Sequence, residues 1–153
     1  MRLLEFPTTK CLLPPAFTHA IKTCVTLPRA LIAVLDDEEC VRRAMRRLIV
    51  SAGLDVAVFE TGEALLEGVA SRRPDCVVLD LHMPGMSGFD IQSRLTQGGH
   101  DIPVVVITGH DTSESRSLAL AGGAAAYLRK PVKGNELLES VLAAIEHRGP
   151  TRS

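Results

Sequence analysis

The sequence predicts a doubly wound α/β domain in which five parallel strands alternate with five helices, and three observations carry that expectation. Short apolar runs of strand length alternate five times with stretches whose apolar residues recur at helical spacing. The run Val104-Val105-Val106 is β-branched on both faces, so both faces must be covered, as in the interior of a parallel sheet. Aromatic residues make up only 3% of the 153-residue chain while hydrophobic residues make up 46%, so the core must be built from Leu, Val, Ile and Ala. That mix suits helices layered on a sheet better than a β-sandwich. Right-handed crossovers then put helices on both faces.

Each element follows in order. Ala30–Leu35 is the first strand. After the acidic run Asp36-Asp37-Glu38-Glu39 comes a helix with Val41, Ala44, Met45, Leu48 and Ile49 on one stripe, stopped by Gly53. Arg42, Arg43, Arg46 and Arg47 fall opposite that stripe, as either a solvated basic face or a docking surface. Leu54–Phe59 is the second strand. Thr61 caps a helix carrying Leu65, Leu66 and Val69, and Pro74 ends that region. Cys76–Leu79 is a third, buried strand that runs into Asp80. A loop rich in Pro and Gly spans His82 to Gly88, and Phe89–Leu95 is a short helix. Ile102–Ile107 is the fourth strand. Asp111 and Glu114 have capping-box spacing for the next helix, with Asp in place of Ser or Thr, and Gly122-Gly123 end it. Ala124–Leu128 is the fifth strand. Asn135–His147 is the last helix, with Leu137, Leu138, Val141, Leu142 and Ile145 on one face.

The flanks and the charge balance bound the function. Residues 29–147 form the expected domain. Met1–Pro28 has no clean period, and its prolines discourage regular structure, so it is expected to be a disordered extension or the product of a misassigned start. Pro14 and Pro15 interrupt its apolar residues, short of the about 7–15 unbroken positions of a secretory signal. No apolar run approaches the roughly 18 residues that span a membrane. Residues 148–153 are a short polar tail, which implies either a protein acting alone through partners or a piece of a longer one. With 17 basic and 18 acidic residues the formal charge is −1, so there is no electrostatic footprint for direct nucleic-acid binding. Cys11, Cys24, Cys40 and Cys76 form no CxxC pair and no zinc spacing. They are expected as thiols in a reducing cytosol, with Cys40 and Cys76 in or near the core.

In a doubly wound sheet, ligands sit beyond the carboxyl ends of the strands. Asp36 and Asp37 follow the first strand, Asp80 the third, Thr108 the fourth and Lys130 the fifth, so all five fall at one sheet edge. Crowded carboxylates raise one another's pKa, and a hard divalent cation such as Mg²⁺ cancels that repulsion. An Asp can act as a nucleophile toward phosphorus, a Lys supplies a point charge for a phosphoryl oxygen, and a Thr supplies a hydroxyl donor. Taken singly, each of these residues is an ordinary cap or turn residue. Together they form what phosphoryl transfer onto a carboxylate needs.

Asp36-Asp37, the run from Val77 through Asp80 to Gly88, Val106-Ile107-Thr108-Gly109 and Tyr127-Leu128-Arg129-Lys130-Pro131 resemble the receiver domains of two-component response regulators. The resemblance covers roughly Arg29 to His147, and the four motifs occur in family order. The Thr-Gly-His and Gly-Gly-Ala stretches look most like receivers fused to helix-turn-helix output domains, although here the chain reads as a single-domain, chemotaxis-regulator-like protein.

The resemblance implies a flavodoxin-like strand order of 2-1-3-4-5. It implies that Asp80 accepts a phosphoryl group from a sensor histidine kinase or a histidine phosphotransfer protein. Asp37 would ligate Mg²⁺ directly, Asp36 would assist, Asp80 would share the ion, and the backbone carbonyl of His82 would be a further ligand. Lys130 would bind the phosphoryl group, with a cis bond to Pro131. Thr108 would move toward the phosphoryl oxygen and Tyr127 would turn inward, switching the face of helix four, strand five and helix five for a downstream target or a homodimer. His82 and His110 either border the path of attacking water or are plain loop residues. The expected protein is cytoplasmic and is not an enzyme beyond its own phosphorylation and slow dephosphorylation.

Three other readings compete. A Mg²⁺-dependent phosphatase with an aspartyl-phosphate intermediate usually carries its nucleophile after the first strand, in an Asp-x-Asp setting. Here the acids Asp36 and Asp37 are adjacent. A degenerate receiver used as a scaffold would have lost some of the five polar positions. A DNA-binding protein would carry a basic helix in a second domain.

Overall fold

The computed structural model describes residues 29–147. The expectations for Met1–Pro28, for Cys11 and Cys24 within it, and for residues 148–153 lie outside them. The chain alternates β1 (Leu31–Leu35), α1 (Glu39–Ser51), β2 (Asp55–Phe59), α2 (Gly62–Ser71), β3 (Cys76–Asp80), α3 (Gly88–Gln97), β4 (Val104–Thr108), α4 (Ser113–Ala121), β5 (Ala126–Arg129) and α5 (Gly134–His147). All five strands pair in parallel, in the order β2-β1-β3-β4-β5, the flavodoxin-like arrangement expected.

The period of two along each strand divides the core into two layers. Ala33, Leu35, Val77, Leu79, Val104 and Val106 face Leu65 and Val69 of α2, Ile91 and Leu95 of α3 and Ala119 of α4. The intervening residues Ile32, Val34, Cys76, Val78, Val105 and Ile107 face Met45 and Ile49 of α1 and Leu137, Val141 and Ala144 of α5. Every residue of β1, β3 and β4 is buried, which is why these strands read as apolar runs up to the terminal Asp80 and Thr108, whereas the outer strand β2 is half-buried throughout.

Local signals set the helix boundaries, and some differ from the sequence reading. Thr61 caps α2 as expected, its side chain accepting from the Ala64 N–H. At α4 the cap is Thr112, whose hydroxyl accepts from the Ser115 N–H. Asp111 instead pairs with Arg116, because a hydroxyl one residue later fits the cap geometry and leaves the carboxylate free for the guanidinium. At α3 the Ser87 side chain and the Asp90 side chain cap each other's backbone, a reciprocal box that starts the helix one residue earlier than expected. The fifth strand begins at Ala126, two residues later than expected, after a turn in which Gly123 has φ of 97°.

Three side chains depart from the core assignments. Cys40 is exposed, because it falls in the first turn of α1, beyond the end of the sheet. Ala44 is exposed because it lines an open groove between α1 and the start of α5. Leu142 is 49% exposed, since Val141 and Ala144 occupy the sheet-facing line of α5. Neither Cys40 nor Cys76 is in a disulfide. Among the described residues no helix is long and apolar enough to cross a membrane.

Candidate functional site

Because all five strands run the same way, their carboxyl ends share one edge, and the expected polar residues converge there. Asp36 and Asp37 lie between β1 and α1, Asp80 and Thr108 are the last residues of β3 and β4, and Lys130 follows β5. Strand parity sorts them further. Asp80 continues the line of Cys76 and Val78 and stands on the α1/α5 side, and Lys130 continues the line of Leu128. Thr108 continues the line of Val104 and Val106 on the opposite side, where Tyr127 also packs.

The three aspartates offer carboxylate oxygens that all lie within 4.8 Å of one another. Asp36 is fully buried and Asp80 is 4% exposed, while Asp37 is open to solvent. Lys130 Nζ donates to Asp36 Oδ2 at 3.1 Å and to Asp80 Oδ2 at 3.2 Å, and lies 3.6 Å from Glu38 Oε1. The other Asp80 oxygen accepts from the His82 N–H at 3.1 Å, and Asp36 Oδ1 accepts from the Glu38 N–H at 2.9 Å. The bond between Lys130 and Pro131 is cis.

One ammonium among so many acids leaves a deficit of positive charge. Burial, with the charge of Asp36 adding to it, pushes the Asp80 carboxyl above its ordinary value, against the His82 N–H and the Lys130 ammonium. Burial also works against the charge on Lys130, but its bonds to Asp36 and Asp80 outweigh that and hold its pKa above the ordinary value. Three clustered carboxylates, all-oxygen donors with a net negative charge, fit a hard divalent cation such as Mg²⁺ and suit zinc poorly.

A carboxyl raised in the folded state favours folding below the ordinary carboxylate range and loses that contribution as pH rises through its folded value. Asp80→Asn is therefore expected to unfold at a higher urea concentration than the wild type at pH 7 in chelator. The gap should narrow as pH falls into the ordinary carboxylate range. A wild type more stable than Asp80→Asn at pH 7 would contradict the charge deficit.

The Thr108 hydroxyl is fully buried and accepts from the His110 N–H at 3.0 Å. It also shares a hydrogen bond with His82 Nδ1 at 3.1 Å. The rings of His82 and His110 lie 5.4 Å apart, tilted by 50°. Tyr127 is covered by the Arg116 guanidinium, 4.7 Å above its ring, and burial, with the Asp111 carboxylate adding to it, pushes its hydroxyl pKa above the ordinary value.

Some contributors were not named from the sequence. Arg42, assigned to an outward basic face, instead donates from its guanidinium to the Asp36 carbonyl at 2.7 Å and lies 3.8 Å from the Glu60 carboxylate as a long ion pair. Its position in the first turn lets it fold back over the β1–α1 loop. Glu38 acts through Lys130, far along the chain, and Arg116 through Asp111 and Tyr127, contacts that no residue spacing marks. The Ser87 and Asp90 box was legible, since their spacing is that of a capping box. Gly88 packs so tightly that an added Cβ would lie 2.8 Å from the Asp80 carbonyl oxygen.

Comparison with known proteins agrees with this geometry. The family described as "Response regulator receiver domain" matches residues 32–142. Nodulation protein W of Bradyrhizobium diazoefficiens is 36% identical over 118 residues, which is 77% of this chain and 52% of that protein. Response regulator MprA of Mycolicibacterium vanbaalenii is 37% identical over 119 residues, again 52% of its length. The chain thus spans about half the length of these curated relatives. A response regulator receiver domain protein from Clostridium thermocellum superposes with a TM-score of 0.73 at 30% identity, covering 78% of this chain and 96% of that one. With a sheet edge of this composition and a family match over most of its described length, the chain belongs to the response-regulator receiver domains of two-component systems.

Proposed function

We propose that this receiver accepts a phosphoryl group on Asp80 from a phosphohistidine donor and uses the resulting charge change to alter a partner-binding face. One observation carries the reading. Asp80 presents a nearly buried carboxylate beside Lys130, with Asp36 and Asp37 close enough to share a cation with it. The coupling Asp80 oxygen would form a bond to phosphorus as the donor's P–N bond breaks, the electron pair staying on the imidazole nitrogen. Lys130 meets the charge on the phosphoryl oxygens, and the His82 N–H orients the carboxylate. Held by Asp36, Asp37, Asp80 and the His82 carbonyl, Mg²⁺ would neutralise charge on carboxylate and phosphoryl oxygens.

Thr108 and Tyr127 share the opposite side of the sheet, so a movement of Thr108 toward the phosphoryl group is next to the ring that reports it. This supports a switch at α4, β5 and α5, which would serve a downstream target or a homodimer. The donor's approach is supported by a groove of about 660 Å³ beside Lys130, lined by Val41, Ala44, Leu48, Pro131 and Val132. A sensor kinase or a histidine phosphotransfer protein is the partner class this implies. The domain division at residues 29–147, a cytoplasmic location and the lack of activity beyond its own phosphorylation and dephosphorylation belong to the same proposal.

Acetyl phosphate with Mg²⁺ is expected to add one phosphoryl group to the wild-type protein by intact mass, and none to Asp80→Asn. Chelation should abolish the adduct. Equal labelling of both proteins would move the acceptor elsewhere, and labelling of neither would favour a constitutive scaffold.

A further inference from the structure

We propose that His82 is a latch on the Thr108 hydroxyl, holding it on its own side of the sheet until a phosphoryl group competes for it. The inference rests on the reading of Asp80 as phosphoacceptor and adds a role for a side chain that the reaction does not otherwise use. Both hydrogen bonds of the Thr108 hydroxyl, among the described residues, go to the two loop segments His82 and His110. A hydroxyl has one hydrogen and two lone pairs. With a bare Nδ1 on His82, that hydrogen is committed to the ring. With a protonated Nδ1, both lone pairs are taken by N–H donors. In either tautomer, swinging the hydroxyl toward Asp80 about the Thr108 side-chain bond breaks the contact with His82.

Position supports the same reading. His82 is exposed, so its ring has no packing reason to lie against a buried threonine, and it is backed instead by the ring of His110. Thr108 stands by parity on the side away from Asp80 and Lys130. Removing the latch destabilises only the resting arrangement, so it raises affinity for anything that draws Thr108 across. His82 is therefore a positioning residue, acting through Thr108.

Beryllofluoride with Mg²⁺ tests this without the hydrolysis that a covalent phosphoryl group undergoes, and ¹⁹F NMR reads its occupancy directly. His82→Ala is expected to bind it roughly 3- to 10-fold more tightly than wild type, the scale of one ordinary hydrogen bond. His82→Asn keeps a polar atom where Nδ1 sits and should bind like wild type. His82→Gln carries its amide one bond further out and should bind like His82→Ala. In a Thr108→Val background the His82→Ala effect should vanish, since the partner is already gone. Fluorescence of Tyr127, the only Tyr in a chain without Trp, gives a second readout of the same titration. Unchanged or weaker binding by both His82→Ala and His82→Gln overturns the latch, as does tightening that persists in Thr108→Val. A wild type that fails to bind, or an Asp80→Asn that binds equally well, removes the phosphoacceptor reading and the latch with it.

Discussion

Lys130→Ala is expected to lower the initial rate of labelling by acetyl phosphate by about 100-fold or more, the usual cost of deleting one preorganised electrostatic contact to a reacting group. The ammonium lies within 3.1 to 3.6 Å of Asp36, Asp80 and Glu38, whereas the Arg42 guanidinium reaches only the Asp36 carbonyl and Glu60. Its loss also leaves two buried carboxylates facing each other. Breaking a buried pair costs several kcal/mol, but Lys130 keeps 22% of its side chain in solvent, so a loss of about 1–3 kcal/mol in urea is expected. Lys130→Arg separates the two effects. It restores the positive charge and should recover stability, while its planar fork cannot occupy the place of a compact ammonium, so the rate should stay low. A Lys130→Ala rate within threefold of wild type would remove Lys130 from the reaction.

Gly88→Ala is the second large effect. A Cβ at this position would lie 2.7 Å from Leu81 Cα, 2.8 Å from the Asp80 carbonyl oxygen and 2.9 Å from Leu79 Cδ1. Two of these neighbours are backbone and cannot rotate aside. The Gly88 N–H also donates to the Leu81 carbonyl at 3.0 Å, so α3 is pinned to the segment just after the acceptor. Overpacking of this kind costs about 1–3 kcal/mol, which a urea titration measures. The relief comes by moving the Asp80 peptide, so the labelling rate should fall further than a global stability change explains. Gly85→Ala gives the contrast, because no atom lies within 4 Å of its added Cβ and only its φ of 81° opposes the change. It should lose stability by a similar or smaller amount and keep the acceptor in place. Equal labelling losses in both would show that the loop as a whole, and not the Gly88 contact, sets the site.

Much of this arrangement was readable from local pattern. Unbroken apolar runs, such as Cys76–Leu79 and Val104–Ile107, stand out because both faces of a parallel sheet are buried, and hydrophobicity is a property of each residue alone. The convergence of Asp36, Asp37, Asp80, Thr108 and Lys130 follows from parallel strands ending at one edge, so order along the chain was enough to bring them together. Even the reciprocal cap of Ser87 and Asp90 has a sequence spacing.

What depended on tertiary structure is which side chain reaches which partner and which faces solvent. Thr112, and not Asp111, caps α4 because its hydroxyl fits the cap geometry, which leaves the Asp111 carboxylate to Arg116. Arg42 belongs to the site because its guanidinium reaches the Asp36 carbonyl, and no helical period marks that reach. Cys40 and Leu142 keep an apolar spacing yet face solvent, because the sheet ends beneath one and the other lies beside the packed line of α5. The pairing of His82 with Thr108 spans 26 residues and joins two loops. Residue type and period determine which segments must be buried and at which edge the polar residues meet. Only packing in three dimensions determines which donor reaches which acceptor, because that depends on distances between loops that the order of residues does not contain.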